Sequence, residues 1–175
     1  MRTTLALVGA LLVPTLVGAA QPEKFYYLGE AKLSSPTGQP MGAQVILVEK
    51  IHDPDHSLIL ERAIVVEQNG SATERAVRLT VKSDNTFTLT DDAATVEGGG
   101  KLFGPPWHWT YFKGTFTAKN GVQIEDENFM ADDSVGAARK KIVGPDKKVL
   151  MYMDMTLKSV TPKTFEILKA GLLKK

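Results

Sequence analysis

Between Val149 and Lys158 apolar and polar side chains alternate. Val149, Met151, Met153, Met155 and Leu157 fall on one side, and Tyr152, Asp154, Thr156 and Lys158 on the other. A period of two is the mark of a β-strand with one buried and one wet face. The pattern recurs upstream: Val77, Leu79 and Val81 oppose Arg78, Thr80 and Lys82, and Phe87 and Leu89 oppose three threonines. Between turn-forming clusters such as Ser35-Pro36-Thr37-Gly38, Asn69-Gly70, Gly98-Gly99-Gly100 and Gly144-Pro145-Asp146 lie runs rich in Val, Ile, Thr, Phe and Tyr. They predict strands near 25–33, 43–51, 57–67, 73–82, 86–90, 94–97, 107–117, 121–131, 135–143 and 148–158. Asn69-Gly70 and Asn120-Gly121 predict tight hairpins with positive φ at both turn residues. A meander this long is expected to curl and close, because closure removes exposed edges. The expected fold class is therefore all-β, an antiparallel meander closing into a barrel of about ten strands.

One segment changes period. Thr161 is placed to cap a helix over 161–172, Pro162 suits its first position, and Phe165, Leu168 and Leu172 form a stripe at helical spacing. Lys169, Lys174 and Lys175 complement its negative end. The helix is expected to lie on the sheet or to plug one mouth of the barrel.

The N-terminus follows neither pattern. Met1-Arg2 carries a positive charge, Leu5–Val17 is an apolar run broken only by small residues, Pro14 and Thr15, and Gly18-Ala19-Ala20 ends it. This order predicts a signal peptide over 1–20, its apolar centre short for a membrane span. A single domain of about 155 residues, 21–175, would follow, secreted or periplasmic and soluble after cleavage. The chain has 21 Lys and Arg against 20 Asp and Glu. Once Arg2 leaves with the signal, the side chains balance, which argues against nucleic acid or an anionic membrane as partner. With no cysteine, disulfides, thiolate catalysis and a lipid-modified cysteine are excluded.

An exported antiparallel barrel followed by one helix resembles the lipocalin-like, or calycin, architecture. The first strand, where lipocalins carry Gly-x-Trp, reads Tyr27-Leu28-Gly29-Glu30-Ala31, without the tryptophan. The stretch Ala131-Asp132-Asp133-Ser134-Val135-Gly136-Ala137-Ala138-Arg139 is similar to segments of uncharacterised bacterial secreted domains with barrel-like folds. The resemblance implies a cavity for a small apolar or amphipathic molecule.

Three segments carry candidate chemistry. In Gly104-Pro105-Pro106-Trp107-His108-Trp109-Thr110-Tyr111, a strand would place Trp107, Trp109 and Tyr111 on one face and His108, Thr110, Phe112 and Phe116 on the other. Such rings suit a ligand pocket, a partner surface or plain core packing. If Leu58, Leu60, Ile64 and Val66 face inward, so does Arg62; if Val122, Ile124 and Met130 do, so do Asp126 and Asn128. Arg62 would then hold an acidic head group or pair with Asp126. Met151, Met153 and Met155 would supply an adaptable wall. The third segment, His52-Asp53-Pro54-Asp55-His56, holds four potential metal ligands, but reads better as a turn. The acidic run Glu125-Asp126-Glu127 with Asp132-Asp133 lacks a calcium-loop spacing and reads as a solvated strand face. No cofactor or metal is expected. Asn69-Gly70-Ser71 matches a glycosylation acceptor as well as a turn.

These readings favour a non-enzymatic binding protein that holds its ligand through Arg62, Trp107, Trp109, Asp126, Met151, Met153 and Met155. An envelope protein–protein interaction module with a packed core is the alternative. A cavity enzyme, hydrolase or isomerase, comes third: Gly-x-Ser-x-Gly, His-Glu-x-x-His, Walker and Gly-x-Gly-x-x-Gly motifs are all missing.

Overall fold

The computed structural model describes residues 21–173 except 106 and 133. The predicted signal peptide, Pro106, Asp133, Lys174 and Lys175 lie outside the described residues. Ten strands follow in order: β1 (Glu23–Ser34), β2 (Pro40–Asp53), β3 (Leu58–Val66), β4 (Ala72–Val81), β5 (Thr86–Asp91), β6 (Val96–Phe103), β7 (Tyr111–Ala118), β8 (Gln123–Asp132), β9 (Val135–Val143) and β10 (Val149–Ser159). Helix α1 (Pro162–Leu172) follows β10. Every strand pairs antiparallel with its sequence neighbours, and β1 pairs with β10, so the meander closes into a ten-stranded barrel. Among the described strands, closure leaves no free sheet edge.

Seven of the connecting turns share one geometry. In 35–38, 54–57, 67–70, 82–85, 91–94, 118–121 and 144–147 the fourth residue donates its N–H to the carbonyl of the first. That fourth residue has positive φ in each: Gly38, Ser57, Gly70, Asn85, Ala94, Gly121 and Lys147. This is a type I turn followed by a left-handed residue, a hairpin form compatible with strand twist. The Asn-Gly expectation is corrected accordingly, since only the glycine takes positive φ at 69–70 and 120–121. Asn69 instead accepts the Ser71 N–H on its side chain at 2.9 Å.

Two strand boundaries also differ from expectation. Gly98-Gly99-Gly100 is not a turn but lies inside β6. The reason is steric. A Cβ on Gly98 would stand 2.9 Å from the Phe116 ring, and one on Gly100 would stand 2.7 Å from the Phe87 ring and 2.1 Å from the Lys113 carbonyl. The aromatic core needs the bare backbone there. Conversely, residues 107–110 are not part of a strand: β7 starts at Tyr111, and the preceding loop turns sharply at Gly104 (φ 117°) and Trp107 (φ 64°).

Pairing fixes the faces. Inside the barrel, Ile59, Leu79, Val81, Phe87, Leu89, Leu102 and Phe116 form one buried cluster, with Phe87 stacked on Phe112 at 4.8 Å. Tyr27, Ala31, Ile46, Val48 and Leu157 form a second, against which Met130, Met153 and Met155 pack. A third cluster lies outside the wall. Leu47 and Ile64 meet Phe165 of α1, with Tyr26, Leu28, Val66, Leu168 and Leu172 around them. The helix therefore lies on the outer surface of β1–β3 and does not plug a mouth. Thr161 caps it, accepting the Thr164 N–H at 3.2 Å.

Elsewhere the outer wall carries ion pairs beside exposed apolar side chains such as Phe103 and Phe129. Lys113 meets Glu127 at 2.8 Å, Arg139 meets Asp154 at 2.7 Å, and Lys141 meets Glu125 at 3.1 Å. Among the described residues no helix is long and apolar enough to cross a membrane.

Candidate binding site inside the barrel

The helix on the outer wall changes which side chains of β2 and β3 point inward. Leu47 and Ile64 are buried outside, under Phe165. The inward set is thus Ile46, Val48, Lys50 and His52 on β2, paired across with Val65, Ala63, Glu61 and Ile59 on β3. Arg62 does not face the core: it sits on the outer wall, its side chain 65% exposed, 3.5 Å from Glu49. The expectation failed because the helix makes both faces of β3 apolar, so Leu58, Leu60, Ile64 and Val66 imitate an inner face.

On β8 the inward set is as expected. Ile124 packs on the first cluster and Met130 on the second, and Asp126 between them is 4% exposed. Its partner is Lys140 of the neighbouring strand, whose ammonium contacts one carboxylate oxygen. Asn128 donates its amide N–H to the other oxygen at 2.9 Å. Burial pushes the Asp126 carboxyl above its ordinary value, the Lys140 charge opposes that shift, and Glu61 adds to it. The influence of Glu61 brings β3 and β8 together electrostatically across the interior.

The interior therefore carries a charged band of two pairs, Asp126–Lys140 and Lys50–Glu61, the latter 3.4 Å apart. Although all point inward, the side chains of Lys50, Glu61 and Lys140 remain 25%, 35% and 28% exposed. Met151, Met153 and Met155 are half-buried on the same inner surface, and Met153 stands opposite Lys140 in the β9–β10 register. Charged side chains that solvent reaches in part thus share the inner surface with flexible thioethers.

Trp107 and Trp109 lie off-strand, at the end of the barrel where the 54–57 and 82–85 turns also stand. Their rings are 5.0 Å apart, and each is 6.2 Å from the His52 imidazole, which meets Phe25 at 4.9 Å. Both tryptophans pack on the first interior cluster. Tyr111 does not join them. It faces outward between Phe103 (5.2 Å) and Phe129 (4.6 Å), in a stripe whose Phe129 is 53% exposed. Phe112 and Phe116 point inward.

His52-Asp53-Pro54-Asp55-His56 is split by the turn. His52 enters the barrel, while Asp53 accepts from His56 at 2.8–2.9 Å outside. Among the described residues no three His, Cys, Asp or Glu side chains gather as a metal set. The imidazole of His52 is held down to about 4, chiefly by burial and then by the Lys50 charge. Sequence reasoning missed Lys50, Glu61, Lys140 and Phe25 as interior residues; for Lys50 the signal was the alternation of Ile46, Val48, Lys50 and His52, which the equally apolar outer face of β2 obscured.

Fold and interior together define a closed ten-stranded antiparallel barrel with an inner charged band and an aromatic mouth. Neither models of known protein families nor curated proteins match the chain.

Proposed function

We propose that this is a non-enzymatic, lipocalin-like binding protein, exported by its N-terminal leader, that holds a small amphipathic molecule inside the barrel. The observation that carries the reading is the solvent-reached charged band beside the methionine wall. Ligand sites pair a mostly apolar lining with a few placed polar groups, and a packed structural core would bury its charges fully or replace them with apolar residues. Met151, Met153 and Met155 adapt to an apolar chain. Lys50 and Lys140 take the head-group role first expected of Arg62, with Asp126 holding Lys140 in place. Trp107 and Trp109 close the apolar end.

Titration with decanoate by calorimetry tests this. The wild-type protein is expected to bind with one site. Lys50→Met should weaken binding by about tenfold or more, the worth of one charge-assisted hydrogen bond. Arg62→Ala, on the outer wall, should leave it unchanged. No heat with decanoate, or a loss on Arg62→Ala alone, would overturn the assignment.

A second reading, a protein-interaction module, draws on the outer stripe of Phe103, Tyr111 and Phe129. Phe129 also lines a hollow of about 460 Å³ with Glu30, Lys32, Glu127, Arg139 and Asp154. Aromatic residues gathered on an outer face are a common feature of partner surfaces. Co-purification of a protein partner that is lost on Phe129→Ala, with no small molecule retained, would favour it.

A further inference from the structure

The aromatic mouth contains two polar atoms that the fold buries without satisfying. His52 Nδ1 and Trp109 Nε1 are shielded from solvent, and neither has a hydrogen-bond partner among the described residues. The Trp107 backbone works to raise the pKa of this ring, as a carbonyl accepting an imidazole N–H does. A neutral imidazole that donates through Nε2 to a carbonyl presents Nδ1 as an acceptor. An indole N–H can only donate. The cage therefore offers one acceptor and one donor on rings whose centroids are 6.2 Å apart, walled by Phe25 and Trp107.

Each unmade bond costs about 1–3 kcal/mol. Burying both in one cage is a standing cost that packing alone does not explain. The loop that brings Trp109 there is itself held by a left-handed Trp107, a conformation costly for a bulky residue.

We infer that the mouth is a recognition site for a hydroxyl group carried on a flat apolar body, an alcohol or phenol, which accepts from Trp109 Nε1 and donates to His52 Nδ1. A carboxylate or carbonyl cannot donate to Nδ1, and an ammonium cannot accept from the indole. A hydroxyl does both. The aromatic walls favour a ring or a planar apolar segment behind it. This inference rests on the reading of the barrel as a carrier, and specifies the chemistry of one end of its cargo.

A matched pair of probes isolates the hydroxyl: p-cresol and p-xylene, nearly equal in shape. The chain has two tryptophans and three histidines, so its indole N–H and imidazole signals are readily assigned by NMR, with Trp107→Phe settling the indole pair. Saturable binding of p-cresol is expected, shifting the Trp109 indole N–H and the His52 Nδ1 resonance. Its affinity should exceed that of p-xylene by about tenfold or more, two hydrogen bonds' worth. His52→Phe, which removes one of the two hydrogen bonds, should lower p-cresol affinity severalfold toward that of p-xylene while leaving p-xylene unchanged. Equal binding of the two probes would overturn the inference. So would a long-lived water at the indole N–H that p-cresol does not displace. Decanoate binding without any p-cresol preference would sink the hydroxyl site and leave the carrier standing; p-cresol binding without decanoate binding would support the cage and remove the carrier.

Discussion

The His52 imidazole is held neutral by the wall around it, and that has a direct consequence for stability. Its pKa falls from 6.5 to about 4, mainly through burial and secondarily through Lys50. A depressed value means the unfolded chain takes up the proton first. The stability present above pH 6.5 is therefore lost as pH drops, and the loss is complete below about 4. The full effect is about 3 kcal/mol, and a His52→Phe variant, which keeps the ring without the titration, should show a flatter acid limb in urea unfolding between pH 7 and 4.5. Asp126 carries the opposite sign. Its raised pKa makes the carboxylate costly at neutral pH, and Lys140 is what makes it tolerable. Lys140→Met should cost about 2 kcal/mol or more, and Asp126→Leu added to it should recover most of that loss, because an unpaired buried charge is worse than none. A double-mutant cycle by chemical denaturation checks both. The Asp126 position was legible from the alternation of β8. Arg62 was not, because β3 is apolar on both faces, and only the helix seated outside shows that the inward charge is Glu61.

At the scale of elements, turn chemistry and bare backbone do most of the shaping. The shared turn form places Ala94 and Lys147 in the left-handed region, at φ 50° and 65°, where a Cβ costs about 1 kcal/mol. Ala94→Gly should raise stability by up to about 1 kcal/mol, read as a shift in the urea midpoint at constant slope. The opposite is expected in β6. Gly100→Ala drives a Cβ to 2.1 Å from the Lys113 carbonyl and should cost about 3 kcal/mol. Strand positions and the capped helix were visible from periods of two and 3.6, because those periods reflect burial itself. The triple glycine misled, since glycine marks both a turn and a strand over which aromatic rings must lie. The Trp107–Thr110 loop misled for a related reason: aromatic alternation imitates a strand, while Gly104 and Trp107 turn the chain away from one.

For the whole molecule, closure of β1 on β10 and the ion-paired outer wall follow from a meander with one polar face, and both were readable along the chain. What alternation cannot convey is how fully the interior is filled. That depends on side chains acting on one another across the barrel, from strands distant in sequence, as the Glu61 charge acts on Asp126. On the carrier reading, this interior holds a small molecule. Native mass spectrometry of the protein purified from its own source tests it most directly, with decanoate added as a reference ligand. A carrier is expected to show an excess mass that dissociates on unfolding, or uptake of one decanoate by the bare protein. A bare mass that stays bare after decanoate is added would contradict it.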